Sequence, residues 1–305
     1  MKNRSASKRI FSAITTATAL TFSLWVSPTW AADPFRATNQ RQIGDKTEAA
    51  FKAMFEEGNY QAAESYLQQA ESTEPKEPLA YAMSASLAYT LNEDFDSLES
   101  YGKKTLETAE QMIKADPLRG NLYAAVGHFL QGAAVVSREG TVKGMPQALS
   151  ELRQVYQYLD KAEAVSASDP ELNLIRGYMD LMLAVNLPFS NPEQAIARLE
   201  KFAGPRYLAY RGLAVGYRDL NEYPEALQAV DRALKVTSNN PELFYLKAQI
   251  LADQGKKQNN PSMLSEAVSN FDKAIAKKAQ LPKGLVKQIE RERRKTVERI
   301  SKPGQ

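Results

Sequence analysis

The sequence predicts an all-α protein, an α-solenoid made of antiparallel helix hairpins. Apolar and small residues recur at helical spacing in paired stripes, with a short polar break inside each pair. No stretch of the 305-residue chain alternates apolar and polar residues as a half-buried strand would. A single hairpin of this kind cannot bury its own apolar face, so neighbouring hairpins must stack on each other.

The clearest hairpin spans residues 206 to 241. Its first helix carries a stripe of four residues, namely Tyr210, Leu213, Ala214 and Tyr217. After a break at 221–223, the second helix carries Ala226, Val230 and Ala233. This order of bulky, small and aromatic residues resembles the tetratricopeptide repeat (TPR), a helix–turn–helix unit of 34 residues. The resemblance implies a TPR-like superhelix with a concave groove that binds protein segments.

The N-terminal residues have the parts of a secretory signal peptide in order. Four basic residues precede an apolar stretch at 10–26, and small residues at Thr29 and Ala31 suit cleavage after Ala31. An uncleaved membrane anchor is the alternative, but the stretch is shorter than the roughly 20 residues of a span and is diluted by Thr. We therefore predict a signal peptide at 1–31 and, because no periodicity follows, a flexible tail at 32–44.

Residues 45–280 are predicted to form the TPR-like repeat domain, and residues 281–305 a capping helix and tail. Within the domain, 137–144 is predicted as a loop with a helix opening at Pro146, and 256–263 as an inserted loop between two helices. Proline after a capping residue marks four further helix starts, at Pro170, Pro192, Pro241 and Pro261.

Catalytic chemistry has little support in the sequence. The chain contains no Cys and one His, which excludes thiolate nucleophiles and His-rich metal sites. His128 lies on the most apolar helix and is predicted to be a core or interhelix residue. We predict no enzyme activity, no catalytic residues, no metal and no cofactor, although carboxylates alone leave a glycosidase open. Acidic residues interrupt the basic run at 291–295, so no nucleic-acid partner is expected.

The predicted binding surface is the concave groove, made by first-helix residues that do not face the second helix. In the register of the repeat, its members are Leu208, Arg211, Val215, Arg218, Tyr245 and Gln249. Arg pairs carboxylates in bidentate fashion and Tyr offers rigid contact area, which suits a protein or peptide partner. Ordinary solvated charges are the alternative interpretation of the two arginines.

Charge is unevenly distributed along the chain. Residues 33–110 contain 15 acidic and 7 basic side chains, whereas residues 111–305 contain 21 acidic and 28 basic ones. An acidic N-terminal part and a basic C-terminal part can attract different partners. Solvated helix faces explain the same asymmetry.

The leading hypothesis is an exported, non-enzymatic scaffold that binds a protein or peptide partner and assists assembly of an envelope or photosynthetic-membrane complex. The chain as a whole is similar to exported repeat proteins of cyanobacteria, which implies the periplasm or, in a cyanobacterium, the thylakoid lumen. No stable membrane span is expected after signal cleavage, and the oligomeric state stays open. A polysaccharide-binding or cell-wall factor is the main alternative, and a lipid or small-molecule carrier is a third.

Overall fold

The computed structural model describes residues 33–186 and 192–302, and this part of the chain is built from α-helices without a β-strand. The twelve helices are α1 (Asp45–Phe51), α2 (Tyr60–Thr73), α3 (Pro78–Asn92), α4 (Phe95–Met112), α5 (Pro117–Val165), α6 (Pro170–Asn186), α7 (Pro192–Lys201), α8 (Arg206–Asp219), α9 (Tyr223–Val236), α10 (Pro241–Lys257), α11 (Pro261–Ile275) and α12 (Lys283–Ser301). A π-helical turn (Lys52–Glu56) extends α1, and a 3-10 turn (Lys278–Gln280) precedes α12. The predicted signal peptide lies outside the described residues.

Consecutive helices pack as antiparallel hairpins, and the hairpins stack in chain order. The closest packing is between helices that follow one another in the chain, such as α3 with α4, α4 with α5, α8 with α9 and α10 with α11. The small residues of the second stripe form these contacts, since Ala226, Val230 and Ala233 are fully buried. The all-α solenoid of helix hairpins is confirmed.

Helix starts follow the capping residues that the sequence indicates. Asp169 caps α6, its Oδ1 accepting from the backbone N–H of Leu172 at 3.0 Å. Asn240 caps α10 in the same way, accepting from the N–H of Glu242 at 2.9 Å. Asn260 caps α11. These three starts are confirmed, whereas the cap residue before Pro192 lies outside the described residues.

The loop predicted at 137–144 is reduced to a single residue. Gly140 has φ 79° and ψ 165°, a backbone conformation that is not helical and that glycine adopts readily. Across it, the two arms of α5 (117–139 and 141–165) lie side by side, since His128 Nδ1 is 2.7 Å from Glu151 Oε2. The loop prediction was wrong, and Pro146 lies inside the second arm rather than opening it.

The insertion predicted as a projecting loop at 256–263 is also mostly helical. Helix α10 continues to Lys257 and α11 begins at Pro261, which leaves only 258–260 as the turn. Asn259 adopts the left-handed conformation there, with φ 48°. The extra residues lengthen both helices, so the loop prediction is corrected.

Residues 33–41, which we call the N-terminal strap, are packed against the repeats, and this corrects the flexible tail predicted at 32–44. Phe35 is 6% exposed and its ring lies 4.9 Å from that of Phe51 in an edge-on arrangement. Arg36 is buried among carboxylates from distant helices. Burial of an aromatic ring and a paired guanidinium is what orders this aperiodic segment.

The stack closes on itself. Helix α12 contacts α3, and the 3-10 turn before α12 contacts α2, so the last units meet the first ones. Ile289 is the fully buried anchor of α12, whereas Val297 on the same helix is 38% exposed.

Candidate functional site

Leu208 and Val215 do not line an open groove. Leu208 is 6% exposed, and its backbone carbonyl accepts a hydrogen bond of 2.7 Å from the hydroxyl of Tyr178. Val215 is partly buried and packs against the main apolar core. Leu208 was predicted as a groove residue, and the structure corrects this, because neighbouring hairpins cover its side chain.

Arg211 is engaged by an internal partner. Its guanidinium pairs with Glu242 at the start of α10, and the same carboxylate accepts a hydrogen bond from the hydroxyl of Tyr60 in the first hairpin. Burial, followed by the charge of Glu242, raises the pKa of Tyr60. Burial likewise raises the pKa of Tyr178 to about 12, against the opposing effect of Arg211. Arg211 therefore connects three hairpins before any partner binds.

Arg218, Tyr245 and Gln249 form one hydrogen-bonded chain that ends on α12. Arg218 donates to Gln249 Oε1 at 2.9 Å, and Gln249 donates to the Tyr245 hydroxyl at 2.8 Å. Tyr245 in turn donates to Glu292 at 2.8 Å. Burial and then the bond to Glu292 raise the pKa of Tyr245, which is 8% exposed. Arg218 and Gln249 stay partly exposed at the end of the chain of bonds.

Beside these residues, α10, α11 and α12 enclose an open cleft of about 410 Å³. We call it the C-terminal cleft, and its lining includes Gln249, Ala252, Asp253, Lys256, Lys295 and Arg299. Lys256 on α10 and Lys295 on α12 form no ion pair with any described residue. Glu292, by contrast, accepts bonds from Tyr245, Gln249 and Gln288. The cleft thus offers two lysines outside any ion pair, with Asp253 within electrostatic reach of Lys256.

A second polar site, which sequence reasoning missed, is buried at the N-terminal ends of the inner helices. Arg36 of the strap donates to Asp33 at 2.7 Å, to Asp169 at 2.6 Å and to Glu171 at 2.9 Å. Glu171 is fully buried. A desolvated carboxylate is stable only with paired charges and hydrogen bonds, and the strap supplies them.

Arg119 completes this group from α5. Its guanidinium donates to Glu77 at 2.7 Å and lies 3.3 Å from Glu171, which also accepts a 2.6 Å bond from Tyr123. Burial disfavours the charged form of Arg119, but the charges of Glu171 and Glu77 outweigh the effect of burial. They hold the pKa of Arg119 well above the ordinary value. The central ionic cluster is defined as Asp33, Arg36, Glu77, Arg119, Tyr123, Asp169 and Glu171.

A sequence signal for part of this cluster exists. Glu77, Asp116 and Asp169 each stand directly before a proline that begins a helix. Such residues cap the helix, and the helix dipole favours their negative charge. Because hairpins of a solenoid stack in parallel, these carboxylates collect at one end of the inner helices and need cations. The strap carries two of them, Arg36 and Arg41, the latter paired with Asp116.

The structure places His128 between helices. Its ring stacks on Tyr158 with centroids 5.4 Å apart, in addition to its contact with Glu151. The predicted interhelix role is confirmed. Within residues 33–186 and 192–302, no group of three or more metal-ligating side chains is placed to hold an ion. No helix in those ranges has the length and apolarity needed to cross a membrane.

Comparison with protein families and with curated proteins finds no match for the chain. Among solved structures, the chain is similar to a thermophilic TPR protein of Thermus thermophilus, with 17% identity and a TM-score of 0.32. The match covers 83% of this chain and 97% of that one. At this level of similarity, the assignment of the fold rests on the chain's own stacked hairpins.

Proposed function

We propose that this chain is an exported, non-enzymatic scaffold that binds a protein partner through the C-terminal cleft. The observation that carries the proposal is the pair of lysines, Lys256 and Lys295, on two different helices of one cleft. Both are exposed and neither has an ion-pair partner among the described residues, whereas Glu292 of the same lining is held by three donors. A cleft with unsatisfied cations is suited to an acidic segment of a partner.

The partner segment is expected to be extended and short. Ala252 and the stems of the two lysines offer limited apolar contact, while Phe271 below them is only 1% exposed. Asp253 also lines the cleft and repels part of an acidic ligand. Selectivity therefore comes from where the ligand's carboxylates fall relative to Lys256 and Lys295 rather than from a deep apolar pocket.

The non-enzymatic role is supported by how the reactive side chains are used. His128 is held by Glu151 and Tyr158, and the most buried carboxylate, Glu171, is neutralised by two arginines. Neither arrangement leaves a base facing a cleft. Among the predicted groove residues, Tyr245 is the one with a ring that could stack on a sugar, and it is buried against α12.

Export is proposed from the order of parts in residues 1–31, and assembly of an envelope or photosynthetic-membrane complex is the role we propose for the bound state. N-terminal sequencing of the protein recovered from the producing cell tests the first point. We expect the first residue of the recovered protein to be Ala32. A chain that keeps Met1 at the membrane contradicts cleavage.

Partner recovery from an extract tests the cleft. The variant Lys256→Glu/Lys295→Glu reverses both charges, and we expect it to lose the bound partner. The matched control, Lys287→Glu/Arg294→Glu, makes the same change in net charge at two exposed α12 residues outside the cleft. Added salt should weaken capture by the native chain, since the cations of the cleft lie at the surface.

Two results contradict the proposal. Equal recovery by the cleft variant and the native chain removes the C-terminal cleft as the binding surface. Equal loss in the cleft variant and the matched control shows general electrostatic attraction instead of a site. Circular dichroism of both variants checks that the helices are retained.

A further inference from the structure

The first hairpin touches a part of the chain more than 180 positions away. The side-chain amide of Asn240 donates to the backbone carbonyls of Phe55 at 3.0 Å and of Glu56 at 3.2 Å. Nearby in the first hairpin, the hydroxyl of Tyr60 donates a hydrogen bond to the carboxylate of Glu242. We call this contact the closing seam and define it by Phe55, Glu56, Gly58, Tyr60, Arg211, Asn240 and Glu242.

The side-chain amide of Asn240 has two roles, one for its oxygen and one for its nitrogen. Its oxygen caps α10 by accepting from the N–H of Glu242 at 2.9 Å, and its nitrogen crosses the seam. Gly58 lies close to Asn240. Its φ is 65°, and a Cβ added to it would lie 2.8 Å from Asn240 Oδ1. Glycine is needed at this turn for its left-handed backbone and for the close approach.

The seam joins hairpins that are not neighbours in the chain. Asn240 and Tyr60 cross it with hydrogen bonds, whereas consecutive hairpins meet mainly through buried alanines and leucines. In a repeat protein, each unit draws most of its stability from its own fold and its immediate neighbours. Loss of the hydrogen bonds across the seam therefore leaves the hairpins on both sides folded, and it corresponds to a local opening.

We propose that the closing seam is a latch, which opens as a unit and uncovers the inner face at the start of α8 and α10. The face so released includes Arg211 and Tyr207, which the first hairpin covers in the closed state. Tyr207 is 7% exposed and lies within the electrostatic reach of Glu56 across the seam. The inference is independent of the C-terminal cleft and stands whether or not that cleft binds a partner.

Asn240→Asp is the test variant. Aspartate keeps the oxygen that caps α10 but removes the donor across the seam and sets a carboxylate against two carbonyls. Asn260→Asp is the matched control, because Asn260 caps α11 before a proline in the same way and lies outside the seam. Tyr60→Phe is a second seam variant that removes one hydroxyl and leaves the caps alone.

Hydrogen exchange of the full chain, followed by mass spectrometry, reads out the opening. In Asn240→Asp we expect exchange about tenfold faster or more in 53–62 and 206–213, since two hydrogen bonds are lost. Tyr60→Phe should give a smaller increase in the same segments. Residues 95–112, far from the seam, should exchange at the native rate in every variant, and Asn260→Asp should match the native chain at the seam.

Spin labels give an independent measure of distance, and the absence of Cys from the sequence makes labelling specific. Labels at Gln61→Cys and Asn239→Cys, both exposed, should show a longer population in Asn240→Asp than in the native background. Unchanged exchange and distances at the seam overturn the inference. Faster exchange that spreads uniformly through the chain also overturns it, because the seam is then part of the global fold.

Discussion

Replacing Arg36 by Ala is the perturbation with the largest predicted effect on stability. The substitution removes a guanidinium that lies 2.7 Å from Asp33, 2.6 Å from Asp169 and 2.9 Å from Glu171. The three carboxylates stay where they are, exposed by only 3%, 7% and 0% of their surface. Asp169 keeps its helix-cap bonds and Glu171 keeps Arg119, but Asp33 loses its only ion-pair partner among the described residues.

Breaking a buried ion pair by removing one partner costs about 3–5 kcal/mol, because the remaining charge is left desolvated. We expect a loss in this range for Arg36→Ala, measured as the shift of the urea unfolding midpoint at pH 7. A domain of ordinary stability has about 5–15 kcal/mol in total, so the variant stays folded but is strongly weakened. Arg138→Ala is the control. Its exposed pairs with Asp96 and Glu99 should contribute little to stability, because solvent screens them. A deficit under about 1 kcal/mol for Arg36→Ala refutes a stabilising role for the ionic cluster.

Three further substitutions test other parts of the fold. Burial disfavours the charge of Asp116, but Arg41 and the backbone N–H of Arg119 together outweigh burial and lower the pKa of Asp116. Stability from this carboxylate is therefore present above its unfolded pKa of about 3.9 and lost as pH falls, and Asp116→Asn should flatten that acid limb in unfolding curves. Gly120→Ala sets a Cβ 2.6 Å from the backbone of the turn before α5, so it should destabilise the fold by about 1–3 kcal/mol. Gly284→Ala meets no atom within 4 Å, so it should stabilise the fold by up to about 1 kcal/mol. Thermal melts measure both changes. Ile289→Ala should cost about 2–5 kcal/mol and make α12 the first site of limited proteolysis, and resistance of α12 would contradict its role as anchor.

Features that depend on local residue patterns were predictable from the sequence. The cap before Pro241 and the buried Ala226 and Ala233 follow from residues within one or two helix turns. The stacking of hairpins then follows, since an exposed small-residue stripe must find a neighbour. The solenoid could therefore be predicted from the sequence although no single hairpin matches the repeat in full.

The candidate site was predictable only in part, because its partners come from distant segments. The strap shows no periodicity, and its ordering depends on Asp169, which is 133 positions from Arg36. Register alone places Leu208 and Arg211 on the inner face, yet it does not reveal that Tyr178 reaches Leu208 or that Glu242 and Tyr60 engage Arg211. The C-terminal cleft was missed for the same reason. It exists because α12 packs beside α10, which the helical pattern of α12 does not specify.

Helix α10 connects the two surfaces proposed for partner binding and for closure. Its first turn carries Asn240 and Glu242 at the closing seam, and its last turns carry Gln249 and Lys256 at the C-terminal cleft. Helix α10 has 17 residues and spans both places, so a change in its position at the seam also alters the cleft. Coupling between two sites is reciprocal. If a ligand in the cleft favours one position of α10, then Asn240→Asp must change the affinity of the cleft, by at most the factor by which that ligand changes the opening equilibrium of the seam.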